Sequence, residues 1–371
     1  MKSALQLCCA SLLLLTLASC SMHSQYIKTD SQGQVTRLKR SIDVDAVHYS
    51  IEAELTSALT LDNTGNSILA LPEHSYIRIN RTKDNLDFVL EGRQTDTVSQ
   101  LSVNGKVVDD SEQRRKQIEQ LTLMMFRNTP IDAKGRVKTL LQYQGTALVL
   151  NEISLMQDQE SKTQYINELL QQAVLTEPQQ LQLLANTATI QSDYELTEAL
   201  LLLVKAQSID PSTQKAILQT SSGIASDYEK RRLLSQLAQP HSGFQLGPIL
   251  QASVDIESDY ELGQLLQQAA PQLQNNDTLQ AFLHAAKSIE SDYELQQVLT
   301  VLPFERFSTA QNEQVIALAA AWIESDYELA TMLTHMLSRA AEPQALQQAV
   351  KAALTTISSD SEKVRVFELL H

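Results

Sequence analysis

The chain has 371 residues, and its 29 lysine and arginine residues against 44 aspartate and glutamate residues give a formal net charge of −15. This charge argues against binding to nucleic acid, because phosphate would be repelled. Most of it lies in residues 131–371, which hold 15 basic and 29 acidic residues. Two explanations stay open for that region: a cationic partner, or a solvated surface that is kept soluble by its charge.

The first twenty residues predict an export signal with a lipid-attachment site. Lys2 precedes an apolar run, Leu12 to Leu17, that is too short to span a bilayer. Leu17-Ala18-Ser19-Cys20 resembles the lipobox of bacterial lipoproteins, which implies cleavage before Cys20 and acylation of that cysteine. The next residue is Ser21 rather than aspartate, and in such lipoproteins this implies the outer membrane. The alternative is an ordinary signal peptide with an incidental cysteine.

The three cysteines all belong to this N-terminal segment. Cys8 and Cys9 would leave with the signal peptide, so only Cys20 would remain, without a disulfide or a cysteine metal site. We therefore expect a signal peptide over 1–19 and a lipidated tether over 20–45. The expected location is the bacterial envelope, facing the periplasm, with membrane contact through the lipid anchor only.

Residues 46–130 predict a small antiparallel β domain followed by a helix. Short alternating runs such as Leu86, Phe88 and Leu90 place apolar side chains on one side of a strand. Asn104-Gly105 between two apolar runs is a signal for a two-residue hairpin. We expect about five strands, and then a helix over Ser111 to Arg127 with one apolar stripe.

Residues 131–371 repeat the tetrapeptide Ser-Asp-x-Glu at intervals of 32 to 34 residues, which is typical of a helical solenoid. An isoleucine lies two residues before each serine, and apolar or small side chains follow at one-face helical spacing. The serines are Ser192, Ser226, Ser258, Ser291, Ser325 and Ser359. With a diverged copy at Asp158, about seven repeats are expected. The predicted fold class is α+β: a small antiparallel β-sheet domain with a helix, followed by an all-α right-handed αα-solenoid over 131–371.

The spacing of serine and glutamate in the motif is that of a capping box. The serine oxygen would accept a bond from the third helical N–H, and the glutamate carboxylate would reach back to the serine N–H. The expected structural caps are the six serines together with Glu195, Glu229, Glu261, Glu294, Glu328 and Glu362. Each cap would contribute about 1 kcal/mol to stability.

The aspartate and tyrosine of the motif have two interpretations that the sequence leaves open. They could form a binding ridge for an extended or basic partner, with tyrosines as anchors. Alternatively, the aspartates offset the helix dipoles and the tyrosines pack against neighbouring repeats. The candidate ridge consists of Tyr194, Tyr228, Tyr260, Tyr293 and Tyr327 with Asp193, Asp227, Asp259, Asp292 and Asp326.

No catalytic pattern is recognisable in the sequence. It contains no glycine-rich phosphate loop, no G-x-S-x-G and no H-E-x-x-H, and its histidines lack the spacing of metal ligands. Carboxylates on stacked repeats would lie about 10 Å apart, too far to share one Ca²⁺ ion. We therefore expect no enzymatic activity, no metal and no cofactor.

Tandem repeats of the form Ile-x-Ser-Asp-Tyr-Glu-Leu resemble those of a group of bacterial envelope lipoproteins with HEAT-like or TPR-like helical repeats. The resemblance covers residues 140–371 and implies a helical array without assigning an activity. The expected function is a membrane-anchored scaffold or adaptor for protein–protein interaction in the envelope. Its expected partner is another protein, a basic surface being one option. One alternative is a ligand-sensing or regulatory subunit of an envelope signalling system, and a third is a cryptic hydrolase.

Overall fold

The structure is a computed structural model that describes residues 21–31, 34–94 and 96–370. The predicted signal peptide 1–19 and the predicted lipidation site Cys20 lie outside these residues. The chain divides after Tyr165 into two compact units. Within the described ranges, no helix is both long enough and apolar enough to cross a membrane.

The first unit contains an antiparallel sheet. Its strands are β1 (Ser21–Thr29), β2 (Val35–Val44), β3 (Val47–Glu54), β4 (Thr60–Leu61), β5 (Ile68–Ala70), β6 (Tyr76–Arg81), β7 (Leu86–Gly92), β8 (Thr97–Val103) and β9 (Lys106–Val107). Seven of them form one sheet in the order β1-β2-β3-β6-β7-β8-β9, and β4 pairs with β5. The larger sheet therefore has two more strands than the sequence predicts.

The two unexpected strands are β1 and β2, in the segment for which the sequence predicts a tether. β1 pairs with β2, and β2 pairs with β3. Leu38, Arg40 and Ile42 of β2 are all buried, so alternate residues point inward. The tether prediction is therefore wrong for the described part of this segment. An inward-facing arginine in the middle of the strand hid the apolar alternation.

The other local predictions for this unit are confirmed. Leu86, Phe88 and Leu90 are buried in a core that also contains residues of the first helix. That helix, α1 (Glu112–Asn128), begins after Ser111, whose side chain accepts a bond from the third helical N–H. The predicted hairpin joins β8 to β9, and both Asn104 and Gly105 have positive φ angles, 51° and 75°.

The face of the sheet that points away from this core is charged. Residues on neighbouring strands form ion pairs across it: Arg37 with Glu54, Lys39 with Glu52, and Arg78 with Asp87. These side chains are largely exposed, so each pair contributes little to stability. The pairs form a solvated polar surface.

Fifteen further helices follow α1 in the described residues. They are α2 (Ala133–Tyr143), α3 (Thr146–Leu155), α4 (Gln159–Gln172), α5 (Glu177–Thr187), α6 (Asp193–Ala206), α7 (Pro211–Ser221), α8 (Asp227–Leu237), α9 (Leu246–Ala252), α10 (Asp259–Ala269), α11 (Asn276–Ala286), α12 (Asp292–Thr300), α13 (Thr309–Trp322), α14 (Asp326–Arg339), α15 (Gln347–Ala353) and α16 (Asp360–Phe367). The chain is thus α+β, with an antiparallel sheet followed by a stack of helices.

A buried ionic network holds α2 and α3 in the first unit. The fully buried Arg136 of α2 donates to the carbonyl oxygen of Gly65 at 2.7 Å and to Glu152 of α3 at 2.8 Å. Arg127 of α1 pairs with the other oxygen of Glu152, also at 2.8 Å. The Arg136 guanidinium lies 4.9 Å from the ring centre of Phe126. These contacts tie α2 and α3 to the first unit, which extends to Tyr165, whereas the sequence predicts that the helical region begins at 131.

In the second unit the helices pack in two alternating series. Each of α5, α7, α9, α11 and α13 contacts the next odd-numbered helix, and each of α6, α8, α10, α12 and α14 contacts the next even-numbered one. The isoleucines two residues before the motif are all buried: Ile190, Ile224, Ile256, Ile289, Ile323 and Ile357. The predicted inward face of the even-numbered helices is also buried, apart from Phe367 of α16, which is 40 % exposed.

The ionic network predicts a large loss of stability when Glu152 is replaced by Gln. Arg136 would keep its charge in the interior without a carboxylate partner, and we expect the free energy of unfolding to fall by about 3 kcal/mol. Urea denaturation followed by far-UV circular dichroism measures this change. The control is Glu54→Gln on the exposed face of the sheet, for which we expect less than about 1 kcal/mol.

The wild type and the Glu152→Gln variant also allow a test of pH dependence. Burial raises the pKa of Glu152, but the hydrogen bond from Arg127 and the charge and hydrogen bond of Arg136 lower it more, so the net pKa is lowered. A lowered pKa stabilises the fold above the unfolded value, and this stabilisation is lost as pH falls through the folded value. The difference in the free energy of unfolding between wild type and Glu152→Gln should therefore become smaller below about pH 4. A difference that stays constant down to pH 3 would contradict a lowered pKa for Glu152.

Candidate partner-binding surface

Each serine of the repeated motif caps the start of an even-numbered helix. Ser258 has extended backbone angles, and its Oγ accepts a bond from the N–H of Glu261 at 3.4 Å. The other five serines make the same bond at 3.3 to 3.4 Å: Ser192, Ser226, Ser291, Ser325 and Ser359. The motif therefore determines where α6, α8, α10, α12, α14 and α16 begin.

Each aspartate of the motif links its helix to the next motif along the chain. Asp259 accepts from the N–H of Glu290 at 3.2 Å and from the N–H of Ser291 at 2.8 Å. The next aspartate, Asp292, accepts from Glu324 and Ser325 at 3.1 and 2.7 Å. Asp193, Asp227 and Asp326 likewise accept from the backbone of the following motif. A carboxylate that receives backbone N–H groups at a helix start forms a charge-assisted bond.

These bonds correct the prediction that the aspartates belong to a binding ridge. The carboxylates of Asp193, Asp227, Asp259, Asp292 and Asp326 are half-buried and engaged within the stack. The exception is Asp360 of α16, whose side chain is fully exposed. Asp360 belongs to the last copy of the motif in the described residues, so these residues contain no following motif to which it could bond.

The aspartate bonds also change the role of the glutamates. In a capping box the glutamate carboxylate accepts from the N–H of the capping serine. Here the serine N–H groups of Ser226, Ser258, Ser291, Ser325 and Ser359 are directed to the preceding aspartate instead. Three of the glutamates form ion pairs with arginines: Glu261 with Arg231, Glu229 with Arg232 and Glu362 with Arg365. The predicted box is therefore only half formed at these five helices.

The tyrosines of the motif form a row of exposed aromatic side chains. They occupy the second position of α6, α8, α10, α12 and α14, and each is more than half exposed. The exposed fractions are 56 % for Tyr194, 53 % for Tyr228, 58 % for Tyr260, 57 % for Tyr293 and 58 % for Tyr327. Packing between repeats therefore leaves more than half of each ring accessible to a partner. We call these five residues the tyrosine row.

Arginines of the chain itself lie over three members of the tyrosine row. Arg232 lies 5.8 Å from the ring centre of Tyr194, and Arg365 lies 5.2 Å from that of Tyr327. Arg231 lies 5.2 Å from the ring centre of Tyr228. These distances are within the range of cation–π attraction. In the described residues, Tyr260 and Tyr293 have no such arginine or lysine.

The surroundings of Tyr260 and Tyr293 are strongly acidic. Residues 233–338 contain thirteen acidic and two basic residues, a net charge of −11. The residues just before the motif serines of α10, α12 and α14 are Glu257, Glu290 and Glu324, and all three are exposed. Negative charge and exposed aromatic rings therefore occur together in the middle of the helical stack.

The described residues contain no group of three or more His, Cys, Asp and Glu side chains that could hold a metal ion. Comparison with models of protein families, with curated proteins and with solved structures finds no match for this chain. The functional argument therefore rests on the geometry of the tyrosine row and its charged neighbours.

Two features of this surface were missed by the sequence reasoning. The first is the bond from each aspartate to the next motif, although the near-constant spacing of 32 to 34 residues was a signal for it. The second is the difference between tyrosines with and without an arginine. Arg232 and Arg365 stand six residues after a motif serine, where the other copies have glutamate, glutamine or threonine, so an alignment of the copies would have shown it.

The links between motifs predict a loss of stability for Asp259→Ala. This change removes the acceptor for two backbone N–H groups, and we expect unfolding to become easier by about 2 kcal/mol. Chemical denaturation can be followed by the fluorescence of Trp322, the single tryptophan of the sequence. The matched control is Asp360→Ala, which also loses the dipole interaction of a first-turn aspartate but breaks no link, so its cost should stay below about 1 kcal/mol. Equal costs at the two positions would show that the links contribute nothing.

Proposed function

We propose that this chain is an interaction scaffold or adaptor of the bacterial envelope, which binds another protein along the tyrosine row. The observation that carries the proposal is that five large aromatic side chains recur at one position of successive helices and all stay exposed. Tyrosine is enriched among the residues that dominate binding energy at protein interfaces. Five tyrosines in one register are a repeated anchor rather than scattered surface residues.

The proposed architecture of the helical part is a right-handed αα-solenoid of about seven repeats. The alternating packing of odd-numbered and even-numbered helices supports it. The regular burial of the isoleucine before each motif supports it as well. Solenoids present long continuous surfaces, and these are used mainly for binding other macromolecules. The net negative charge makes a protein partner with basic residues more suitable than nucleic acid.

The proposed location is the outer membrane, with the protein facing the periplasm and held by a lipid on Cys20. β1 begins at Ser21, directly after that cysteine. Acylation of Cys20 would therefore bring the sheet to the membrane surface without an intervening linker. The role of the sheet in this proposal is to connect the anchor to the helical part.

The test of the scaffold proposal is crosslinking in living cells. A photo-reactive amino acid in place of Tyr260 should capture a specific envelope protein. The same amino acid in place of Val174, which is exposed but outside the tyrosine row, should not capture it. Replacing Tyr228 and Tyr293 by Ala in the Tyr260 reporter should abolish the capture, because neighbouring anchors act together. If no protein is captured at position 260 under several growth conditions, the proposal is wrong.

A cavity in the first unit supports a second candidate, a ligand-sensing subunit. Its volume is about 550 Å³, and its lining includes Phe88, Lys116 and Ile118. This volume is within the range of small-molecule sites. The outer face of the sheet, in contrast, is occupied by exposed ion pairs.

The sensor candidate predicts that a ligand raises the melting temperature. Candidate ligands are sugars, cell-wall fragments and divalent cations, each added to the lipid-free protein in a thermal-shift assay. The shift should be smaller for Lys116→Glu, which reverses an exposed charge at the cavity. Absence of a shift with all of these compounds contradicts the sensor candidate and leaves the scaffold proposal intact.

A further inference from the structure

The chain's own arginines show how the tyrosine row accommodates a cation. Arg232 and Arg365 occupy the same position, six residues after a motif serine. Each lies over the tyrosine of the preceding even-numbered helix: Arg232 over Tyr194, and Arg365 over Tyr327. The same geometry therefore appears at two separate places in the stack. A guanidinium fits the exposed face of a motif tyrosine without disturbing the helix starts.

The corresponding position is neutral next to Tyr260 and Tyr293. By register, Gln297 follows Tyr260 and Thr331 follows Tyr293. The Gln297 amide donates to the side chain of Gln296 at 2.8 Å, and the Thr331 hydroxyl donates to the carbonyl oxygen of Tyr327 at 2.7 Å. Neither side chain can supply a positive charge. Two adjacent tyrosines thus lack the cation that the others have.

The carboxylates around these two tyrosines favour an external cation. Glu257, Glu290 and Glu324 are exposed, and Glu294 and Glu328 are half-exposed. Within the described residues, none of the five forms an ion pair. A positively charged side chain placed over Tyr260 or Tyr293 would gain both ring attraction and attraction to these carboxylates.

The spacing of the helices determines the form of the cationic partner. Packed neighbouring helices lie about 8 to 10 Å apart. An extended segment in the polyproline II conformation has three residues per turn and advances about 3.1 Å per residue, so side chains three residues apart lie on the same side, about 9 Å from each other. Such side chains would therefore reach successive tyrosines. Helical segments advance about 1.5 Å per residue and do not match this spacing with so few residues.

We propose that the surface around Tyr260 and Tyr293 binds an extended segment of a partner protein whose arginine or lysine side chains are three residues apart. This inference rests on the proposed scaffold function and specifies the partner's chemistry. The partner's cations take the place that Arg232 occupies over Tyr194 and Arg365 over Tyr327. The flanking sites are already filled by the chain itself, so the central pair determines where the segment binds.

The experiment uses the lipid-free protein, residues 21–371, and a fluorescent twelve-residue peptide with arginine at every third position and glycine and serine elsewhere. Binding is measured by fluorescence anisotropy at two salt concentrations. We expect the wild type to bind, and the double variant Tyr260→Ala/Tyr293→Ala to bind about tenfold more weakly, since two ring contacts are lost. Tyr194→Ala, whose ring already carries Arg232, should change binding less than about twofold.

A second pair of variants separates ring occupancy from charge. Gln297→Arg should place the chain's own guanidinium over Tyr260 and so weaken peptide binding several-fold. Gln264→Arg adds the same charge at the equivalent position behind Tyr228, which Arg231 already covers, so its effect should be smaller. Circular dichroism melting of each variant shows whether the fold is retained. A peptide of the same composition with its arginines consecutive should bind more weakly than the spaced peptide.

The outcomes that overturn the inference differ from those that overturn the scaffold proposal. Failure of the wild type to bind the spaced peptide, or equal binding by the double tyrosine variant, refutes the basic-segment inference. Equal binding of the spaced and the consecutive peptides would show that only general charge attraction is involved, and this result also refutes the inference. In each case, crosslinking of an envelope protein at position 260 would still support the scaffold.

Discussion

The whole helical stack depends on the bond between one motif aspartate and the backbone of the next motif. The first N–H groups of a helix have no partners within the helix and must be satisfied from outside. In this chain the serine of each motif satisfies one of them, and at α8, α10, α12, α14 and α16 the aspartate of the preceding motif receives the serine N–H itself. These five helix starts therefore have two kinds of acceptor. Because one acceptor belongs to the neighbouring unit, the start of a helix and the packing of two units form together.

This division of tasks within four residues explains the exposed tyrosines. Serine and aspartate make the bonds that hold the helix start, and the glutamates of three motifs form ion pairs with arginines. The tyrosine, at the second helical position, is left without a structural bond of its own and stays more than half exposed in all five copies. A side chain that stays exposed in every unit is available for contacts outside the fold. The arginines over Tyr194, Tyr228 and Tyr327 show which chemistry such contacts favour.

The sequence predicted those parts of the fold that depend on local periodicity. The helix starts at the six serines, the buried isoleucines and the hairpin at Asn104-Gly105 all follow from patterns within a few residues. The misses involve partners that are distant in the chain. Arg40 is buried because Asp158 and Glu160 reach it from more than a hundred residues away, and no local pattern could indicate that. For this reason β2 resembled a polar tether.

The residues of the candidate site could be predicted from the sequence, but the different roles of the tyrosines and the aspartates could not. The sequence identified tyrosine and aspartate as one ridge, because stacking places both in rows. Which of the two faces outward depends on where the next unit puts its N–H groups, and this is decided only by packing. The difference between Tyr194 and Tyr260 likewise depends on a residue 37 or 38 positions further along the chain, Arg232 in the first case and Gln297 in the second.

The aspartate link has a consequence for how such an array changes in length. Its acceptor and its donor both lie within the same short motif, so every unit carries both halves of the joint. A duplication or deletion of one whole unit therefore restores the joint without any compensating substitution. Lengthening by duplication also adds one tyrosine to the row. The reach of the binding surface can in this way grow or shrink stepwise, at the level of the gene, while the fold stays intact.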